Sequence, residues 1–199
     1  MRTIPTLLFV TLALVMAVTR IHHFAAIQDA SWAVFFVAGF YFGKQTRWAF
    51  PVLIVLALLA DWYAIAAAGI EFWGGYCISP AYWFLLPAYA SLWFGGRWLA
   101  RHEAGLRWRS LGLLGVTLVV SVSACYLLSN GSFYWISNSW GGADAQRSLG
   151  GWVANLGHWY LSFLKVTAMY VAIVALLHAA ALAAGLGRKA ATDAPARNG

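Results

Sequence analysis

Long apolar runs, broken by charged or glycine-rich stretches, set the rhythm of this chain. Six runs stand out: Ile4–Thr19, closed by Arg20; Ser31–Gly43, closed by Lys44; Trp48–Gly69, with Pro51 in its first turn; Pro80–Phe94, closed by Gly95, Gly96 and Arg97; Leu111–Ser129; and Trp152–Gly185. The runs are continuous and do not alternate with polar positions, which points to helices and away from the strands of a membrane barrel. A helix needs about 20 residues to cross a bilayer. The pattern therefore predicts an all-α membrane protein with six transmembrane helices, forming a single domain over 1–185. The second and fourth runs are shorter than a full span. Residues 186–199 are small, polar and basic and read as a disordered tail. The first run reads as a retained span, because no clear small-x-small cleavage site precedes Arg20.

Composition strengthens this picture. Hydrophobic residues make up 62% of the 199 positions and charged residues 10%, against roughly 45–50% and 25% in soluble domains. So few charges cannot cover a soluble surface, which excludes a soluble enzyme, a disordered chain and a disulfide-rich secreted module.

The positive charges are unevenly placed. Arg2, Lys44, Arg47, Arg97, Arg101, Arg107, Arg109, Arg188, Lys189 and Arg197 fall on one set of connections, and only Arg20 and Arg147 on the other. By the positive-inside rule both termini are cytoplasmic. The 20–30, 70–80 and 130–151 connections then face outward. Topology accounts for the net charge of +7, and no nucleic-acid partner is implied.

The outward connections carry most of the chemistry. They hold Arg20, His22, His23 and Asp29; then Glu71, Phe72, Trp73, Tyr76, Cys77, Ser79 and Pro80; and then the stretch from Asn130 to Gly142, with Tyr134, Trp135 and Asn138. Aromatics mixed with amides and hydroxyls suit a large ligand with apolar faces and amide edges, although an interfacial aromatic belt has a similar composition. The Trp93-Phe94-Gly95-Gly96 stretch reads as a span ending with interfacial anchors. Cys77, at the outer mouth, is open to three roles: metal ligand, nucleophile or half of a disulfide with Cys125 near the outer end of the fifth span. Cys125 alone reads as a small core residue. His158, at the outer start of the sixth span, is a candidate pocket residue.

Two charges fall within spans, Asp61 and Lys165. Buried membrane charges seek a partner, so Asp61 should pair with Arg20 or Lys165. Such a pair serves either the structure or a ligand site. Ala13 and Ala17 form a small-xxx-small pair on the first span, a spacing that permits close helix contact. No ATPase, phosphate-loop or zinc-protease motif is present.

The stretch from Arg20-Ile-His-His-Phe24 to Asp61-Trp62, including Phe40-Tyr-Phe-Gly43, a basic turn, Pro51 and Leu58-Leu-Ala-Asp61, resembles the front half of small bacterial membrane proteins linked with cobalamin uptake. With six spans, inward termini and an outward aromatic pocket, the chain is similar to the substrate-binding S-components of energy-coupling factor vitamin transporters. The loop Cys77 points to their solitary BtuM-type cobalamin branch. The resemblance implies a multi-pass protein of the bacterial inner membrane that binds cobalamin from outside and moves it inward. It implies Cys77 as axial ligand to the cobalt, and loss of the upper ligand of cyanocobalamin (decyanation) as a possible activity. Tyr76, Tyr82, Asp61, Tyr134, Trp135, Asn138 and His158 are the candidate lining residues. Ala13 and Ala17 resemble the helix motif that docks on a coupling module. The competing expectations are an S-component for another vitamin, a membrane thiol oxidoreductase using Cys77 and Cys125, and a structural membrane subunit.

Overall fold

The computed structural model describes residues 3–21, 28–67, 69, 80–102, 108–137 and 147–184. Among these, the regular structure is entirely helical. The α-helices are α1 (Thr3–Ile21), α2 (Ser31–Phe42), α3 (Thr46–Ala67), α4 (Leu85–His102), α5 (Trp108–Ile136) and α6 (Leu149–Ala183), with short 3₁₀ segments at Gly43–Gln45 and Pro80–Phe84. Three stretches, Ser31–Ala67, Trp108–Ile136 and Leu149–Ala183, are long and apolar enough to cross a membrane, and Pro5–Ile21 is a shorter apolar helix.

The stretch Ser31–Ala67 is not one long rod. Phe35 of α2 meets Phe50 of α3 with ring centroids 5.7 Å apart. One guanidinium, that of Arg20, reaches both Ser31 and Asp61. In a continuous helix those two residues would be about 45 Å apart, at 1.5 Å per residue. The chain therefore reverses at Gly43–Gln45, and α2 and α3 form a hairpin.

Helix α2 is the centre of the bundle. Ten of its twelve residues are buried, as expected of a helix that is apolar all round. It packs on α1, α3, α4 and α6. Its contact with α4 is backbone to backbone. A Cβ on Gly39 would overlap the Trp93 carbonyl, and one on Gly96 would overlap the Phe36 carbonyl. Small residues of this kind permit the close approach typical of helix pairs in lipid.

This contact corrects the expected end of the fourth span. Gly95 and Gly96 do not close α4, which runs on to His102. Nor is Trp93 an interfacial anchor: it is fully buried, donates its indole N–H to Thr46 Oγ1 at 3.0 Å and meets Phe50 edge-on. Phe94 is exposed. Pro51 also lies deeper than its expected place in the first turn, since α3 begins at Thr46.

The fifth helix is longer than its apolar run suggests. It continues to Ile136, so Tyr134 and Trp135 stand on helix and not in a loop. Asn130-Gly131-Ser132 has the composition of a turn, but its polar groups are used to hold helices together. The Ser132 hydroxyl bonds the Ser129 and Ala81 carbonyls, and Asn130 Oδ1 accepts from Trp152 and Asn155 of α6. Arg147 then donates to the carbonyls of Trp135 and Ser137, satisfying acceptors that a helix end leaves open.

The bundle has two chemically distinct ends. Lys44, Arg47, Arg97, Arg101 and Arg109 gather at the end where α2 turns into α3 and α4 approaches α5; there the Arg97 side chain packs against Gly43. At the opposite end lie Arg20 and the two carboxylates of the described residues, Asp29 and Asp61. The outer faces of the helices are apolar, with Leu7, Val116, Leu161 and Leu176 each more than half exposed. Exposed apolar surface on this scale is foreign to a soluble monomer and fits a bilayer.

Candidate functional site

The polar centre of the described chain is built on Arg20, in the last turn of α1. Its Nε and Nη2 donate to the two oxygens of Asp61 at 2.6 and 2.7 Å, a bidentate pairing that fixes geometry as well as charge. Nη1 donates to Tyr89 Oη at 2.8 Å, Ser31 Oγ at 3.0 Å and Asp29 Oδ2 at 3.2 Å. The Tyr82 hydroxyl donates to Asp61 Oδ2. Ser31 donates both its N–H and its hydroxyl to Asp29 Oδ1. Arg20 is 7% exposed. Of the two expected pairings the chain forms Arg20–Asp61, and Lys165 is exposed on α6.

The reason for such a cluster is the shortness of α2. Twelve residues rise about 18 Å, well short of the roughly 30 Å hydrocarbon core. Asp29 and Ala30, just before Ser31, are irregular backbone, and inside a membrane bundle each peptide group needs a partner. Thr19 Oγ1 accepts from the Ala30 N–H, and Asp29 accepts from the Ser31 N–H. A carboxylate also suits the positive N-terminal end of α2. Arg20 gathers α1, the entry to α2, α3, the Pro80–Phe84 segment and α4 around one cation. Tyr89 is stacked on Phe35 at 4.4 Å, which joins the polar cluster to the aromatic core.

Among the described residues the cluster is closely packed. The void beside the guanidinium, between Ile54, Leu58, Leu85 and Leu86, measures about 30 Å³. Ligand pockets run to several hundred Å³. Both Asp61 oxygens are engaged by Arg20, and the Tyr82 hydroxyl ties the Pro80–Phe84 segment to the same carboxylate.

A second polar and aromatic group lies at the same end, where α5 meets α6. Tyr134 is buried, with its hydroxyl bonded to Ser148. Trp135 is 37% exposed and lies edge-on to Tyr134 and Trp152. Asn130, Asn155 and Trp152 share one hydrogen-bonded corner. His158 is exposed and contacts Trp159. The two groups meet where Ser132 bonds Ala81. In chain order residues 70–79, which include Tyr76 and Cys77, fall between the end of α3 and Pro80. Tyr76, Cys77, Asn138, His22, His23 and the Gly74-Gly75 and Gly141-Gly142 pairs lie outside the described residues.

Cys125 is a free thiol with no exposed surface, packed in the core beside Val122 and Tyr126. It is therefore the small core residue that was one of the two expectations for it. It does not sit near a span end: α5 continues eleven residues beyond it to Ile136, about 16 Å of helix. A thiol so enclosed is a poor exchange partner. Among the described residues no three His, Cys, Asp or Glu side chains converge as a metal site.

Sequence reasoning found Arg20, Asp61 and Tyr82 but missed Ser31 and Tyr89, which complete the cluster. Their signal was weak: a serine opening an apolar run and a tyrosine inside one. A comparison with protein-family models and with curated proteins finds no match to this chain.

Proposed function

We propose that this chain is a six-span transporter of the bacterial inner membrane, with both termini cytoplasmic, that takes up cobalamin through a site at the Arg20 end. The observation that supports this reading is the placement of two polar, aromatic groups, one around Arg20 and one around Trp135, at the end of the bundle where α3 ends and Pro80–Phe84 begins. The resemblance in the stretch from Arg20 to Asp61, and the loop residue Cys77, supply the identity of the ligand. The concentration of cations at the opposite end supports a cytoplasmic orientation there.

In this reading the Arg20 cluster holds Pro80–Phe84 against α3 and α4, which fixes one root of the Cys77 loop. Cobalamin is flat, with apolar faces and an amide fringe. Aromatic residues such as Tyr76 and Trp135 suit its faces, and Asn138 its amides. The Cys77 thiolate takes one axial position on cobalt and displaces the dimethylbenzimidazole base. A strong sulfur donor weakens the bond to cyanide on the far side. Cyanide would leave with its bonding pair and take up the proton released by the Cys77 thiol, water would fill the vacated position, and cobalt would remain trivalent, so this exchange needs no reductant. Ala13 and Ala17 are half-buried on α1, next to the exposed Val10, Leu14 and Val18. That face is the one through which a coupling module would dock.

The test is a thermal-shift screen of the purified protein against cobalamin and other water-soluble vitamins. Cobalamin alone should raise the midpoint. A rise with a different vitamin would replace the ligand and keep the transporter class, and no rise with any would remove both.

A further inference from the structure

At the basic end the bundle is open on one side. Helices α5 and α6 are bonded together only in their halves toward the Arg20 end, through Ser123–Tyr160, Tyr126–Leu156 and Asn130–Asn155 among the described contacts. Below these they splay apart, leaving a cleft of about 470 Å³ between α2, α5 and α6. That is within the range of small-molecule sites. Its walls are apolar, with Phe36 and Phe40 from α2 and Leu114 from α5. The α6 wall is thin because Ala172, Ala175 and Ala179 face the space. Its polar features are Ser110 and the Tyr41 hydroxyl, which is paired with His178 Nδ1 at 2.7 Å.

Among the described residues the charge at this end is of one sign. Ser110 and Leu99 line the cleft, and Arg109 and Arg101 stand beside them in sequence, with Lys44, Arg47 and Arg97 at the same end. Both described carboxylates are on Arg20, at the other end. An apolar slot with Arg109 and Arg101 next to its lining residues in the chain complements a long hydrocarbon with an anionic head. Basic pockets between membrane helices select acidic lipid head groups in this way.

We propose that the cleft between α2, α5 and α6 holds one acyl chain of an anionic phospholipid, with its phosphate at the Arg101 and Arg109 rim. The lipid fills the space between the splayed helices and ties α6 to the rest of the bundle. This inference stands independently of what is bound at the Arg20 end.

The test uses the full-length protein, stripped of lipid in detergent and incubated with phosphatidylglycerol or phosphatidylcholine, then examined by native mass spectrometry. The expected result is one retained phosphatidylglycerol per chain and little phosphatidylcholine. Ala175→Trp and Leu114→Trp, which fill the cleft from opposite walls, should each lose the retained lipid while helix content by circular dichroism is unchanged. Retention by both filled variants, or equal retention of the two lipids by the unmodified protein, would overturn the proposal. Should both tryptophan variants fail to fold, the double change Arg101→Gln and Arg109→Gln decides. Loss of the preference for phosphatidylglycerol supports the proposal, and an unchanged preference refutes it.

Discussion

At the scale of single residues, Arg20 governs the described structure. It is a buried cation shared by two carboxylates, a serine and a tyrosine, drawn from the entry to α2, from α3 and from α4. Removing one member of such a group leaves the others uncompensated, which typically costs about 3–5 kcal/mol. Arg20→Ala should therefore abolish recovery of monodisperse protein, read by size-exclusion chromatography. Arg20→Lys should also be strongly destabilising, because an ammonium cannot reproduce the bidentate fork. Asp61→Asn keeps the shape and loses the charge. If Asp61 serves the scaffold, its thermal midpoint should fall by several degrees while ligand affinity in the surviving fold changes little. Tyr82→Phe deletes one hydrogen bond to a charged group and should cost only about 1.5–3 kcal/mol. Arg147 is the counterpart at the neighbouring corner, where it closes the end of α5. Charge counting alone treats Arg20 and Arg147 as stray outward cations; both are engaged within the protein.

At the scale of elements, the helix pattern was legible because membrane helices are long, apolar and punctuated by charge. The runs opening at Ile4, Ser31, Trp48 and Trp152 match α1, α2, α3 and α6 to within a few residues. Glycine and polar punctuation misled. Gly95-Gly96 reads as a stop, yet Gly96 is where α2 lies on α4 and Gly95 faces Ser121 of α5, and Asn130-Gly131-Ser132 reads as a turn, yet it is helix pinned to α6 and Ala81. In both cases a tertiary contact uses the feature that local propensity counts against, and a local reading does not see the partner. The Arg20–Asp61 pairing was legible as one of two options, since a buried charge demands a partner, but nothing local favoured Arg20 over Lys165. The α2–α4 contact gives a sharp test. Gly39→Val or Gly96→Val should prevent correct packing, since a Cβ at either site would overlap a backbone carbonyl. Gly157→Ala on α6, where a Cβ meets nothing within 4 Å, should be neutral or stabilising by up to about 1 kcal/mol. Thermal midpoints of the three variants in one detergent make the comparison.

At the scale of the whole molecule, a short central helix organises both ends. Because α2 spans only about 18 Å, the chain leading into it must be satisfied inside the bundle, and the Arg20 cluster results. Because α2 then turns sharply at Gly43–Gln45, its other end lies among cations, below a cleft that α6 does not close. This polarity predicts that, in a Cys77→Ala background, single cysteines placed at Lys44 and Arg101 will react with membrane-impermeant maleimide only after cells are opened, whereas a cysteine replacing Arg147 reacts in intact cells. The reverse pattern would invert the orientation. The central claim is that Cys77 ligates the cobalt of cobalamin, and the most direct measurement is the absorption spectrum of the purified protein with bound cyanocobalamin. A band shift away from free cyanocobalamin is predicted for the unmodified chain and its loss for Cys77→Ala. An unshifted spectrum in the unmodified protein, or the same shift in Cys77→Ala, would contradict it.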